Sequence, residues 1–465
     1  MSPIPPFPCL PRPRPGGPRH RPGRRWPALA AALLALATGL ARANCMDDEK
    51  LEAANPTPAP AAAPVEPRTL LQTMVHDALT RSNGIGAAKL LAEAAGQDVA
   101  EAQASKLPQA YLNASIGPAL GIGNDGSSNQ LQARAGVTLT QTLYDGGRSD
   151  RVVDWRRQQA EAARLGLLST QEQISLATTS LAFERSRFRM QAVIYGQNVR
   201  KMGCLVQALE NIVAADKGRT SELVQARKQL QQAELQQTQA QSQARQVEAK
   251  LRRIVGDGLP GFEGMSTLLL AVPELPTVLA AAERSTDISQ LAANAAAMRE
   301  VARVVEAGNK PQLSWNLGGN AQLTAGAGNP RNAALSAGVT LTIPLLNPAI
   351  EYSTQAARKR AEAALLQRAD ALEQRRQRIV EVHEQAGSAF DRLHRVGLVL
   401  RDSDRLRNFT LQQWQQLGRR SLFDVIAAEG DHYNLRVQYA NALYDGQQMN
   451  ATLLSLGSGL AAWLQ

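Results

Sequence analysis

Two stretches of the chain alternate apolar and polar residues without a break in phase. In Leu131–Leu143 the apolar set is Leu131, Ala133, Ala135, Val137, Leu139 and Leu143, and Gln132, Arg134, Gly136, Thr138, Thr140 and Thr142 lie between them. In the second stretch Leu335, Ala337, Val339, Leu341, Ile343 and Leu345 alternate with Ser336, Gly338, Thr340 and Thr342. Looser alternation precedes each, at Ala110, Leu112, Ala114 and Ile116, and at Leu313, Trp315, Leu317, Ala321 and Leu323. A period of two means strands with one apolar and one polar face. The Gly/Asn-rich segments 118–130 and 324–332 separate the partners, which predicts hairpins over 109–144 and 311–346. The pattern around the hairpins is helical. Helices are expected at 69–105 and 277–308, and Pro-free runs of Ala, Gln, Arg and Leu at 148–215 and 349–416. At 1.5 Å per residue each long run would extend ~100 Å, so it needs helical partners along its length. Breaks at Gly218 and Gly418 end the long runs, and shorter helices follow at 221–255 and 421–456.

This order of elements occurs twice because the sequence itself repeats. Ala-Gly-Val-Thr-Leu-Thr stands at 135–140 and again at 337–342. Leu107-Pro108-Gln109 answers Lys310-Pro311-Gln312, and Lys217-Gly218-Arg219-Thr220-Ser221 answers Leu417-Gly418-Arg419-Arg420-Ser421. Such a period is far longer than that of a solenoid. The expected organisation is therefore two repeats, 68–260 and 277–465.

Ahead of the repeats lies an export label. Residues 1–27 hold ten Pro and six Arg with no acid, Ala28–Leu40 is uncharged, and Ala41-Arg42-Ala43 is a small-x-small site. Together they predict a signal peptide over 1–43, followed by an Ala/Pro/Glu-rich flexible linker over 44–67. Thirteen apolar residues are too few to cross a bilayer as a helix. Asn44 stands before Cys45 where lipidation needs a small residue, so a lipid anchor is not expected. Export also changes the charge. The whole chain carries +10, with 51 Lys+Arg against 41 Asp+Glu, but the label holds seven Arg and no acid, leaving +3. With aromatics at 4%, that removes any nucleic-acid signature. A Cys45–Cys204 bridge is open to the two cysteines that would remain, but unpaired thiols are the expectation.

Two readings of the alternating strands stay open on pattern alone. An ordinary antiparallel sheet would pack its apolar face on helices. A transmembrane barrel would turn that face to lipid and its polar face to a lumen. Four strands cannot close a barrel, because the smallest need about eight. The barrel reading therefore forces an oligomer, and a trimer would supply twelve strands. Tyr111, Tyr144 and Trp315, at the loop-distal strand ends, are candidates for an interfacial aromatic girdle.

Candidate chemistry is sparse. Gly121-Ile122-Gly123-Asn124-Asp125-Gly126 fits a dinucleotide fingerprint, but a strand rather than a helix follows it. His76, His383, His394 and His432 fall in helical stretches without metal-ligand spacing. No nucleophile–base constellation stands out, so neither an enzyme nor a cofactor or metal site is expected.

With these features in hand the sequence resembles the TolC-type outer-membrane channels, the exit ducts of drug-efflux pumps and type I secretion systems. The local carriers are Leu107-Pro108-Gln109, the stretch Leu139–Arg148 with its Tyr144-Asp145-Gly146-Gly147, and Gly418-Arg419-Arg420-Ser421-Leu422-Phe423-Asp424-Val425. Thr142 stands where the family usually has Pro, while Ile343-Pro344-Leu345 keeps it. The resemblance implies an α+β membrane protein: a homotrimeric twelve-stranded barrel in the outer membrane of a Gram-negative cell, continued by a coiled-coil periplasmic tunnel. It implies a periplasmic adaptor (membrane fusion protein) and an inner-membrane ABC or proton-driven transporter as partners. It maps the entrance acidic ring onto Asp424 and a latch Arg onto Arg420, with Gly218 and Gly418 at the helix tips. Two further acidic positions of the family fall on Val224 and Ala427, which leaves Glu222 or Glu429 to substitute. The competing reading is a periplasmic coiled-coil adaptor that docks on a channel without forming one.

Overall fold

The computed structural model describes residues 66–123, 126–261, 264–325, 331–417 and 421–464. The signal-peptide segment, nearly all of the linker, and Gly418 and Arg420 lie outside them. Helices α1 (Pro67–Arg81) and α2 (Asn83–Ala104) lead into strands β1 (Gln109–Gly123) and β2 (Gly126–Tyr144). Helix α3 (Arg148–Ala215) and helix α4 (Thr220–Val255) follow, joined by a 3-10 turn at Lys217–Arg219. The order then recurs: α5 (Leu275–Ala282), α6 (Thr286–Ala307), β3 (Gln312–Ala325), β4 (Arg331–Thr342), α7 (Pro348–Leu417) and α8 (Leu422–Leu456), with α9 (Leu460–Leu464) at the end. No described helix is long and apolar enough to cross a membrane.

Both leading helices differ from expectation in the same way. The run 69–105 is two helices because Ser82 is extended and caps α2, its hydroxyl accepting from the Ile85 N–H at 3.3 Å. The run 277–308 breaks likewise before Thr286, where Ser285 is extended. The strands run further into the turns than expected, while β4 stops at Thr342, short of the expected Leu345. Segment 118–130, predicted as a loop, is mostly ladder, since β1 and β2 remain paired up to Gly123 opposite Gly126. Its Gly, Ser and Asn content signals a turn by composition, yet these residues complete an antiparallel ladder. Pro118 is tolerated because β1 is an edge strand of the sheet.

Four clusters hold the described helices together, one of them Ile194 of α3 with Tyr433, Val437 and Ala440 of α8. Around the middle, Leu71, Met74 and Val75 of α1 pack with Phe183 of α3, Leu251 of α4 and Leu460 of α9. Side-chain amides peg the segment before α5 to this cluster. Gln447 donates to the Met265 and Leu268 carbonyls, and Asn450 to those of Leu269 and Ala271. A third cluster joins α5 and α6 to α7 and α8 through Val278, Ile288, Ile379 and Leu453. The fourth lies at the helix ends far from the sheet, where Leu209, Leu223, Leu411, Leu422 and Val425 bring α3, α4, α7 and α8 together.

Charged groups finish the helix ends. Arg375 donates to the carbonyls of Ser455 and Leu456 at the end of α8, satisfying acceptors the helix leaves unpaired. Glu172 accepts the Leu460 and Ala461 N–H groups at the start of α9, where an anion suits the helix dipole. Cys204, expected as an unpaired thiol, is disulfide-bonded; sequence spacing carries no signal for that pairing.

Candidate functional site

The sheet has the order β1-β2-β3-β4, antiparallel throughout, so β1 and β4 are both edges. Its register puts like with like. Leu112 faces Val137, Leu139 faces Leu317, and Trp315 faces Val339 on one side. On the other, Asn113 faces Gly136, Thr140 faces Asn316, and Ser314 faces Thr340. The apolar side is not packed on any helix. Leu335 is 89% exposed and Leu112 75%, and Ile116 and Val339 are also exposed. This excludes the ordinary-sheet reading within one chain, because that reading requires the apolar face to be covered. A cavity of about 610 Å³ on this side is lined by small residues such as Ala135, Gly319 and Ala333 between Leu112 and Leu335.

The aromatic residues divide. Trp315 lies on the apolar side and donates its indole N–H to Gln141 Oε1 at 3.1 Å. Tyr144 joins that side opposite Leu313 after a bulge between Thr142 and Tyr144. Tyr111 sits opposite Thr138 on the polar side, so it does not belong with the other two.

The passage from sheet to long helix is made by Asp145-Gly146-Gly147. Gly146 and Gly147 have φ of +68° and +84°, the left-handed region that disfavours side chains. A Cβ on Gly146 would lie 2.4 Å from that of Lys310, whose ammonium donates to the Gly146 carbonyl. Asp145 accepts the Gly147 N–H at 3.0 Å and the Ser149 N–H at 2.7 Å, closing the first turn of α3. Burial pushes the Asp145 carboxyl up, but the bonds from Ser149, Gly147 and Arg148 outweigh it and hold the carboxyl below its ordinary value.

At the far end, Asp216 accepts the Gly218 N–H at 2.9 Å and shapes the turn between α3 and α4. Val224 and Ala427 are exposed. Asp424 is exposed in the first turn of α8. It forms a capping box with Ser421: each side chain bonds the other residue's N–H at 3.3 Å. Glu222 is half-buried in the first turn of α4, and Glu429 is buried. Glu429 is the site residue with the richest surroundings. Its carboxylate lies 3.7 Å from Lys201 Nζ of α3 and 3.4 Å from Arg407 Nη1 of α7, and Arg407 also holds Asp404. It therefore ties three helices. The sequence pointed to Glu429 only as a substitute, and an isolated Glu on a helix gives no hint that two cations from distant segments meet it. Among the described residues no His/Cys/Asp/Glu group fits a metal ion.

Known proteins share both part of this sequence and its fold. Residues 74–257 match the family model described as outer membrane efflux protein. Over that segment the chain is similar to that outer-membrane efflux family. The match covers the first repeat, and the second presents the same order of elements. The fold is also that of solved outer-membrane channels. The CusC channel is 16% identical with a TM-score of 0.74, over 84% of this chain and 92% of that one. A membrane protein from Pseudomonas aeruginosa is 15% identical with a TM-score of 0.75, over 87% and 97%. The outer membrane protein VceC of Vibrio cholerae is 16% identical with a TM-score of 0.72, over 84% and 97%. Sequence comparison with curated proteins gives no match.

Proposed function

We propose that three copies of the chain close a twelve-stranded barrel in the outer membrane, continued by a tunnel of their long helices into the periplasm. The observation that carries this reading is the sheet, with its two open edges and an apolar face that no helix covers. An open edge beside β1 and another beside β4 leave unpaired backbone groups, which a bilayer does not tolerate. Pairing β1 of one copy with β4 of the next removes both, and closure by rotation gives a ring. The exposed leucines then face lipid and the Thr, Asn, Ser and Gln side faces the lumen.

The channel passes cargo outward without bond chemistry, from an inner-membrane transporter joined through a periplasmic adaptor that docks on the helix tips. The matching family model is named for efflux. The entrance lies where α3 meets α4 and α7 meets α8. Three Asp424 side chains on one axis attract cations there, and Arg420 latches the tips. Heat-modifiable electrophoresis tests the assembly. Unheated protein in mild detergent should run as a trimer and collapse to a monomer on boiling; a water-soluble monomer after signal removal would leave the adaptor reading in its place.

A further inference from the structure

The polar side of the sheet is almost wholly neutral. Across the four strands it presents Asn113, Ser115, Thr138, Thr140, Asn316, Asn320, Ser336 and Thr340 and their like. Among the described residues one charged side chain stands on it, Arg134. Arg331, the other strand cation, falls opposite Leu323 on the apolar side of the register. Arg134 is exposed, and its cross-strand neighbours are Ser115 and Gln322. Its guanidinium donates to Gln132 Oε1 at 2.8 Å, a neutral acceptor two residues back on the same face. The next position along that face is Gly136, which offers no side chain to cover it. The guanidinium is thus oriented by an amide and neutralised by no described acid.

Resting on the trimeric barrel proposed above, we propose that Arg134 is a specificity-determining residue of the lumen, three copies forming a cationic ring in its outer half that favours small anions. Threefold symmetry puts the copies around one axis. Arg134 stands ten residues before Tyr144; at ~3.3 Å per residue and a tilt of about 40°, this is roughly 25 Å beyond the helix junction. A twelve-stranded barrel with strands ~4.8 Å apart at that tilt has a radius of roughly 12 Å. An arginine reaching inward then brings its charge within about a Debye length, ~8 Å, of the axis at physiological salt. Anions are enriched over cations there by roughly three- to tenfold, and by more at lower salt.

The test is reversal potential across planar bilayers in potassium chloride gradients, comparing variants that share the same entrance. Arg134→Ala should lower the anion-to-cation permeability ratio several-fold, Arg134→Glu should lower it further, and Arg134→Lys should keep it near that of the parent. The gap between Arg134→Ala and the parent should widen as salt is lowered. Independently, Arg134→Cys should lose conductance on treatment with a membrane-impermeant sulfonated thiol reagent, which requires a lumenal side chain. Conducting channels whose reversal potential is the same in all four proteins, or whose Cys variant is untouched, overturn the ring while leaving the barrel intact. A parent protein that gives no conductance steps overturns the barrel itself, and the ring with it.

Discussion

Removing the Glu429 carboxylate should loosen the closed entrance. Glu429 is 1% exposed and Lys201 4%, so both charges are out of water. Lys201 belongs to α3, and Arg407 and Glu429 to α7 and α8. The carboxylate therefore joins the two helical pairs close to their tips. Deleting one partner of a buried ion pair costs about 3–5 kcal/mol, because the other charge stays buried and uncompensated. If opening moves one helical pair away from the other, that cost falls on the closed form only. The closed-to-open ratio then drops by roughly 10²-fold at the lower figure. Glu429→Ala should raise resting open probability in planar bilayers, and Glu429→Gln should raise it less. Replacing Lys201, Arg407 and Glu429 together by Met should restore both stability and a low resting conductance, since apolar replacement of buried ions is often neutral. Heat-resistant trimers with unchanged resting conductance in all three proteins would refute a gating role for this cluster.

Other outcomes follow from the same geometry. Asp424→Ala should weaken block by multivalent cations added from the periplasmic side, and loss of the capping box should lower stability by about 0.5–2 kcal/mol in thermal melts. Arg420→Ala, at the position where the resemblance puts a latch, should raise resting conductance; an unchanged value would refute that latch. Gly146→Ala should be destabilising by about 1–3 kcal/mol through its left-handed backbone and its approach to Lys310, read as a lower melting temperature of the trimer. The carboxyls of Asp145 and Glu248 are both held low, although burial raises each: Asp145 by hydrogen bonds from Ser149 and Gly147, Glu248 by bonds and charge from Arg185 and Arg189. Protons then bind the unfolded chain more readily than the folded one. Their stabilisation is present above the ordinary carboxylate value of about 4 and is lost as pH falls through the lower folded values. Melting temperature should therefore fall as pH drops from 5 to 3, by less in Asp145→Asn.

What was legible in the chain follows from what is periodic. The alternation in Leu131–Leu143 lies within β2, and the Pro-free stretches lie within α3 and α7, because period and propensity act locally. The Asp145-Gly146-Gly147 motif was visible, and its reason came only with the backbone angles and the Lys310 approach. Local composition misled at 118–130, where Gly and Ser continue a ladder whose partner strand supplies the order. It also missed the breaks at Ser82 and Ser285, each a single extended residue inside a helical run. The meeting of Lys201, Arg407 and Glu429 joins segments more than two hundred residues apart. No spacing rule reaches that far. Arg134 was in plain view as one of six polar positions, but it became distinctive only when the register showed every described neighbour to be neutral.

The central claim is that this chain conducts across a membrane as a closed trimer, and single-channel recording tests it most directly. Purified trimer added to a planar bilayer should produce discrete, uniform conductance steps, each one insertion event, that persist at low applied voltage. Protein that binds the bilayer or stays in solution yet gives no steps, under conditions where its trimer survives intact, would contradict the account.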